Sequence, residues 1–212
     1  MRCVAYTSTC KVFAGITAIL FAGFISIGAF AAEATAKPNM KVMGSARAPI
    51  GHTVFCSQNP EDCQGKGNRT ARIVLDSVNF AQLVGINRDI NQQIAPVTDA
   101  ELYGVAEYWT YPVNQQGDCE DYVLLKRKAL IEAGWDPSAL LITVVRDEKG
   151  DGHAVLTVVT DRGDLVLDNQ REAVLPWQQT GYEYVKRQSQ ADPKAWVYVG
   201  PARPDAGVAS AR

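Results

Sequence analysis

Apolar residues fall into three regimes along the chain. From Val12 to Ala32 they are nearly continuous and carry no charge. From about Thr70 to Ala133 they recur among polar residues at helical intervals. After Pro137 they gather into short β-branched runs separated by polar turns. The middle regime predicts a helix starting near Thr70, although Ile73, Leu75, Val78, Phe80, Leu83 and Val84 make no clean stripe. A second helical piece is predicted over Ile86–Ile94 and ends at Pro96. Thr98-Asp99 reads as the cap of a short segment through Tyr108.

The best-defined helix is predicted from Cys119 to Ala133. Asp118 is placed as its N-cap, with Asp121 three residues on as a short capping box, and Gly134 as its stop. Tyr122, Leu125, Ala129 and Ala133 form the predicted inward stripe, with Leu130 alongside, and Lys126, Arg127 and Lys128 the predicted exposed face. The third regime predicts strands over Leu140–Val145, His153–Thr160 and Leu165–Leu167, joined by the polar turns 147–152 and 161–164. Weaker strands are predicted over Tyr182–Arg187 and Trp196–Val199. Connections this short make consecutive strands antiparallel. The expected class is α+β, with helices first and an antiparallel sheet packed on the Cys119 helix.

Charge and composition change this picture mainly at the ends. Met1-Arg2 and Lys11, the apolar run, and Ala29-Phe30-Ala31 form the pattern of a secretory signal peptide over residues 1–31. An uncleaved membrane anchor is the alternative reading of the same run. Cleavage after Ala31 leaves 19 basic against 23 acidic residues, and no basic block suits nucleic acid or an anionic membrane. The expected layout is an extended arm over 32–48, one domain over 49–200, and a disordered Pro/Ala/Gly tail over 201–212. The expected address is the periplasm.

Three cysteines follow the signal. In an oxidising compartment Cys56 and Cys63 are natural partners across Asn59-Pro60-Glu61-Asp62, which leaves Cys119 unpaired. At a helix start that thiol meets the positive end of the helix dipole and backbone N–H groups able to hold an oxyanion. It needs a base, and the chain has two histidines, His52 and His153. His153 opens one strand and Asp168 closes the next, so the carboxylate is expected to accept from Nδ1–H and fix the tautomer. Asp118, Glu120 and Asp121 crowd the thiol with negative charge and raise its pKa. A divalent cation would relieve that conflict, and a carboxylate set without spare His or Cys points to Ca²⁺.

The segments Gly117-Asp118-Cys119-Glu120-Asp121-Tyr122, Gly152-His153-Ala154-Val155-Leu156 and Val166-Leu167-Asp168-Asn169 resemble the bacterial transglutaminase-like cysteine proteinases. The resemblance covers roughly Pro49 to Val199. It implies a papain/transglutaminase-like core with Cys119 as nucleophile, His153 as general base and acid, and Asp168 as orienting group. In the LapG-type branch of that family, periplasmic proteases release large surface adhesins and so free biofilm cells. In that branch the acids flanking the nucleophile, here Asp118 and Glu120, bind calcium. It also implies a protein substrate such as an adhesin and an inner-membrane receptor that sequesters the enzyme. Trp109 or Gln115, upstream of the nucleophile, is a candidate to complete an oxyanion hole, and the sequence does not select between them. Acyl transfer to an amine and a non-catalytic periplasmic binding module on the same scaffold are the alternative readings.

Overall fold

The computed structural model describes residues 39–65 and 70–199. The expected signal segment, the tail over 201–212 and the first part of the expected arm, residues 32–38, lie outside these. The main sheet has seven strands in the order β1-β9-β8-β4-β5-β6-β7. Its strands are β1 (Val42–Ala46), β4 (Leu140–Arg146), β5 (Gly152–Thr160), β6 (Gly163–Leu167), β7 (Leu175–Pro176), β8 (Glu183–Gln188) and β9 (Trp196–Val199). Every pairing in it is antiparallel. Among the described residues four α-helices accompany it: α1 (Ile50–Gln58), α2 (Ser77–Gln93), α3 (Asp99–Tyr103) and α4 (Cys119–Glu132). Two short strands, β2 (Ala95–Pro96) and β3 (Gln116–Gly117), pair in parallel just before α4. The α+β expectation holds, and among the described residues no helix is long and apolar enough to cross a membrane.

The folded unit reaches further toward the N-terminus than residue 49. β1, inside the expected arm, pairs with β9. The next segment is a helix rather than a loop. α1 buries Gly51, His52, Phe55 and Cys56, which fall on one side at helical spacing. Gly51 lies under Trp109, whose ring would be 2.3 Å from an added Cβ. Cys56 and Cys63 are joined as a disulfide, and Cys119 is free and buried.

Residues near Thr70 do not start a helix. Ile73 exchanges backbone hydrogen bonds with the end of β5, donating to Val159 O and accepting from Asp161 N, each at 3.0 Å. α2 starts only at Ser77, where the Asp76 side chain accepts from Asn79 N at 2.7 Å, and it runs unbroken through the Ile86–Ile94 piece to Gln93. α3 is shorter than expected. Thr98 and Glu101 form a reciprocal capping box, but Gly104 takes a left-handed φ of 71° and stops the helix before Tyr108.

α4 ends as predicted. Gly134 adopts φ 93°, Gly134 N donates to Ile131 O and Trp135 N to Leu130 O, the hydrogen bonds of a Schellman stop. Its start and its outer face differ from expectation. Asp118 occupies the N-cap position without a side-chain capping bond. Lys126 and Arg127 are buried, while Ala133 is exposed. The reason is tertiary, because α4 is covered on two sides. Val123, Leu124 and Leu130 join the core formed with β4 and β5. Tyr122 joins Ile90 and Ile94 at the α2 side. Arg127 spends its guanidinium on backbone carbonyls, donating Nε to Leu140 O at 3.1 Å and Nη1 to Asp62 O at 3.3 Å.

Candidate active site

Cys119 is the first residue of α4 and is buried. α4 packs against β5. The thiol donates to Glu120 Oε2 at 3.1 Å. Burial, and then the carboxylates of Glu120 and Asp118, push it well above the ordinary thiol value, while the Ala154 backbone N–H acts in the opposite sense. The thiol therefore lies beside the residue that follows His153.

His153 faces Val145 across the β4–β5 ladder. Its Nε2 is 2.8 Å from Asp168 Oδ1, and both side chains are buried. This reverses the nitrogen expected to meet the carboxylate. The β5–β6 ladder ends at the Leu156–Leu167 pair, so Asp168 sits just past it and the imidazole reaches it with its distal nitrogen. The inner nitrogen, Nδ1, is buried without a hydrogen-bond partner. Burial raises the Asp168 carboxyl, but hydrogen bonds from His153, Tyr182 and Gln170 N outweigh that and hold it below the usual carboxylate value. The Asp168 backbone is tied to α2, with its N–H donating to Asn87 Oδ1 at 3.1 Å and its carbonyl accepting from Asn91 Nδ2 at 2.8 Å.

His52 is remote from this chemistry. It stands between Trp109 and Trp196, edge-on to both, and Trp196 Nε1 donates to its Nδ1 at 3.3 Å. Burial and the Arg127 charge lower its pKa to about 4, so it is a neutral core histidine. Trp109 does not supply an oxyanion donor, because its indole N–H is taken by Glu107 Oε2 at 3.0 Å. Asn114 and Gln115 both have left-handed φ, 53° and 61°, in the tight turn that leads into β3 and leaves Gln115 exposed.

Asp118 has partners the sequence reading did not assign. Asp99, Asp118 and Asp121 each place one carboxylate oxygen within 4.8 Å of the others. In each of them one oxygen accepts from the backbone. Asp99 Oδ2 accepts from Tyr108 N, Asp118 Oδ2 from Asp99 N at 3.3 Å, and Asp121 Oδ1 from Thr110 N at 3.0 Å. The second oxygen of each, Asp99 Oδ1, Asp118 Oδ1 and Asp121 Oδ2, is buried without a partner. Burial lifts Asp99 to about 6 and Asp121 to about 8, with neighbouring acids adding to both, and it raises Asp118 as well. Buried carboxylate oxygens without partners on three acids this close together are costly by themselves, and the set fits a hard divalent cation such as Ca²⁺. Gly117 is required beside them, since an added Cβ would meet Asp121 Oδ2 at 2.6 Å. Glu120 forms a second such group with Asp118 and Cys119, its Oε1 is also buried without a partner, and burial and Asp118 raise it well above the ordinary value. Asp121 is legible in the sequence as one of the acids crowding the thiol, whereas Asp99 carries only the signal of a short helix cap and joins Asp118 through the tertiary structure.

A helix-borne thiol beside a strand-borne histidine–carboxylate pair is an arrangement able to carry thiol-dependent acyl transfer. The chain belongs to the bacterial transglutaminase-like cysteine proteinase family, whose sequence profile matches residues 42–203. Among solved structures it is similar to LapG from Legionella pneumophila, at 27% identity over 54% of this chain and 65% of that one, with a TM-score of 0.46. The calcium-bound form of that LapG is 23% identical over 64% of this chain and 76% of that one, with a TM-score of 0.49. Its EGTA-treated form is 25% identical over 57% and 67%, with a TM-score of 0.47. The chain thus spans about two-thirds of the first of these, 65% of its length. No curated protein matches the chain.

Proposed function

We propose that this chain is an exported, calcium-dependent cysteine endopeptidase with Cys119 as nucleophile, His153 as base and Asp168 as orienting group. The observation that carries the reading is the free nitrogen. His153 has one nitrogen on Asp168 and a second, buried and unpartnered, on a residue whose neighbour Ala154 directs its N–H at the thiol. That leaves Nδ1 to take the proton of Cys119.

In this reading His153 Nδ1 accepts the thiol proton and the Cys119 sulfur attacks the scissile carbonyl. Backbone N–H groups at the start of α4 face the developing oxyanion. His153 then returns the proton to the leaving amine, and a water deprotonated by Nδ1 hydrolyses the thioester. Asp168 stays ionised throughout and holds the imidazole by Nε2. Asp99, Asp118 and Asp121 would hold the cation, and Glu120 is the further acid at the thiol. When bound, calcium neutralises the acids that otherwise keep the thiol protonated.

The signal-like N-terminus supports a periplasmic location, and the LapG-type motifs support a large surface adhesin as substrate and an inner-membrane receptor as regulator. Cys119→Ala, expressed in the source cell as a substrate trap, is expected to capture a cell-surface protein that the wild-type chain cleaves, and to abolish that cleavage. Unchanged cleavage by Cys119→Ala would overturn the nucleophile. Products that couple to an added primary amine in preference to water would mark the site as a transferase.

A further inference from the structure

We propose that Tyr182 is a positioning residue for the base, holding Asp168 through its hydroxyl and His153 through its ring. The proposal rests on the Cys119–His153–Asp168 reading above. Asp168 has two carboxylate oxygens with divided duties. Oδ1 accepts from His153 Nε2 at 2.8 Å and from Gln170 N at 2.9 Å. Oδ2 accepts from the Tyr182 hydroxyl at 2.6 Å. The same tyrosine stands edge-on to the imidazole, with ring centroids 5.7 Å apart at 81°. One side chain therefore touches both members of the pair, from a segment just before β8 that is not part of β5 or β6.

Tyr182 is itself held. The Arg171 guanidinium lies 5.2 Å over its ring and donates Nε to the hydroxyl at 3.3 Å, and Arg171 Nη2 is fixed by Glu148 Oε1 at 2.8 Å. Burial and the Asp168 carboxylate raise the phenol further, so it remains a proton donor throughout the working range of a histidine base. The donation to Oδ2 draws charge away from Oδ1 and moderates the pull of Asp168 on the imidazolium. The edge contact keeps the ring from turning about its Nε2 bond, which is what holds Nδ1 in place.

The titratable and charged groups around the pair are Cys119 and Lys126 on α4, Tyr184 on β8, Arg171 behind Tyr182, and Glu148 in the β4–β5 turn. Tyr182→Phe keeps the ring and removes the hydroxyl, with its bond to Asp168 and the one it accepts from Arg171 Nε, while Arg171 stays tied to Glu148. The expected result is a fall of about tenfold in kcat with KM unchanged, and an acid limb of kcat/KM moved to higher pH because Asp168 now pulls harder on the protonated base. Tyr182→Leu, which also removes the ring, is expected to lose more activity than Tyr182→Phe.

A second readout does not depend on activity. The chain has two histidines, and His52 is a buried neutral residue, so ¹⁵N-histidine spectra of the full chain report His153 directly. In Tyr182→Phe the His153 titration is expected to shift upward relative to wild type. An unchanged His153 titration together with an unchanged acid limb would overturn the proposal. If the wild-type chain cleaves nothing, the peptidase reading fails, while the spectra still decide the role of Tyr182.

Discussion

Asp99 donates its backbone N–H to Asp118 Oδ2 at 3.3 Å, tying the first residue of α3 to the residue before α4 across a sequence separation of 19. That bond brings two buried acids together and, with Asp121, makes a group of three carboxylates that each offer an oxygen within 4.8 Å of the others. The fold therefore assembles a concentration of negative charge directly beside the thiol it must activate. The pH dependence and the metal response of the protein follow from that arrangement.

Without metal, Asp99 titrates near 6 and Asp121 near 8, both above the ordinary 3.8. Between the unfolded and folded values the folded state holds protons that the unfolded chain has released, so stability falls as pH rises from about 4 through 8. Chelator-treated protein is expected to show this decline in Tm, and Ca²⁺ is expected to remove most of it. At a hundred times Kd the ion contributes about 2.7 kcal/mol. Asp99→Asn and Asp121→Asn are each expected to flatten the metal-free decline and shrink the calcium shift. A calcium titration that leaves Tm unchanged from pH 5 to 8 rules out the site.

The hydrogen bond from the Cys119 thiol to Glu120 holds the nucleophile in its protonated form. Glu120→Gln removes one of the two carboxylates that raise the thiol. Its iodoacetamide labelling at Cys119, measured by mass spectrometry in chelator at fixed pH, is expected to be faster than wild type by about tenfold, the effect of one pKa unit. Added calcium is expected to move the wild-type rate in the same direction. Equal rates for both proteins under both conditions contradict this account of the acids.

Lys126 is buried on α4 with no hydrogen-bond partner for its Nζ. Burial lowers its pKa from 10.5 to about 7, against the opposing pull of Asp168. Between these values the unfolded chain binds the proton that the fold has lost, so this group's cost fades as pH rises from about 7 to 10.5. Lys126→Met is expected to be more stable than wild type near neutral pH by about 1–4 kcal/mol. Urea denaturation at pH 6.5 and pH 9.5 is expected to show the difference between the two proteins shrinking at the higher pH.

Two glycines separate packing from metal binding. An alanine Cβ at Gly51 meets the rigid Trp109 ring at 2.3 Å, whereas at Gly117 it meets Asp121 Oδ2 at 2.6 Å. Gly51→Ala is expected to lower stability by about 1–3 kcal/mol, as overpacking does, with the calcium increment intact. Gly117→Ala is expected to lose most of the calcium increment because it displaces a ligand-bearing side chain. Thermal melts of both variants with calcium and with chelator distinguish the two effects.

Much of this architecture is local and was legible in the chain. The β-branched runs separated by polar turns from Leu140 to Leu167 became β4, β5 and β6, because short connections leave antiparallel pairing as the simplest outcome. Gly134 stops α4 because only a residue at ease with positive φ completes that stop. Cys56 and Cys63 pair across a turn that brings them together, and Cys119, His153 and Asp168 carry their motif order in the sequence itself.

What the sequence did not decide depends on contacts between distant segments. Charged Lys126 and Arg127 read as a solvent face, yet α2 on one side and the sheet on the other leave α4 little exposed surface. Which imidazole nitrogen meets Asp168 depends on how the His153 side chain is oriented in the folded site, which residue type does not settle. Asp99 and Tyr182 carry no motif, and each gains its role by being carried to a site built by other elements. Local sequence determined the strands from Leu140 to Leu167, the stop at Gly134 and the nucleophile motif, since backbone propensity and spacing act over a few residues. The tertiary structure decided burial, orientation and charge neighbours, since those arise only when segments far apart in the chain share the same volume.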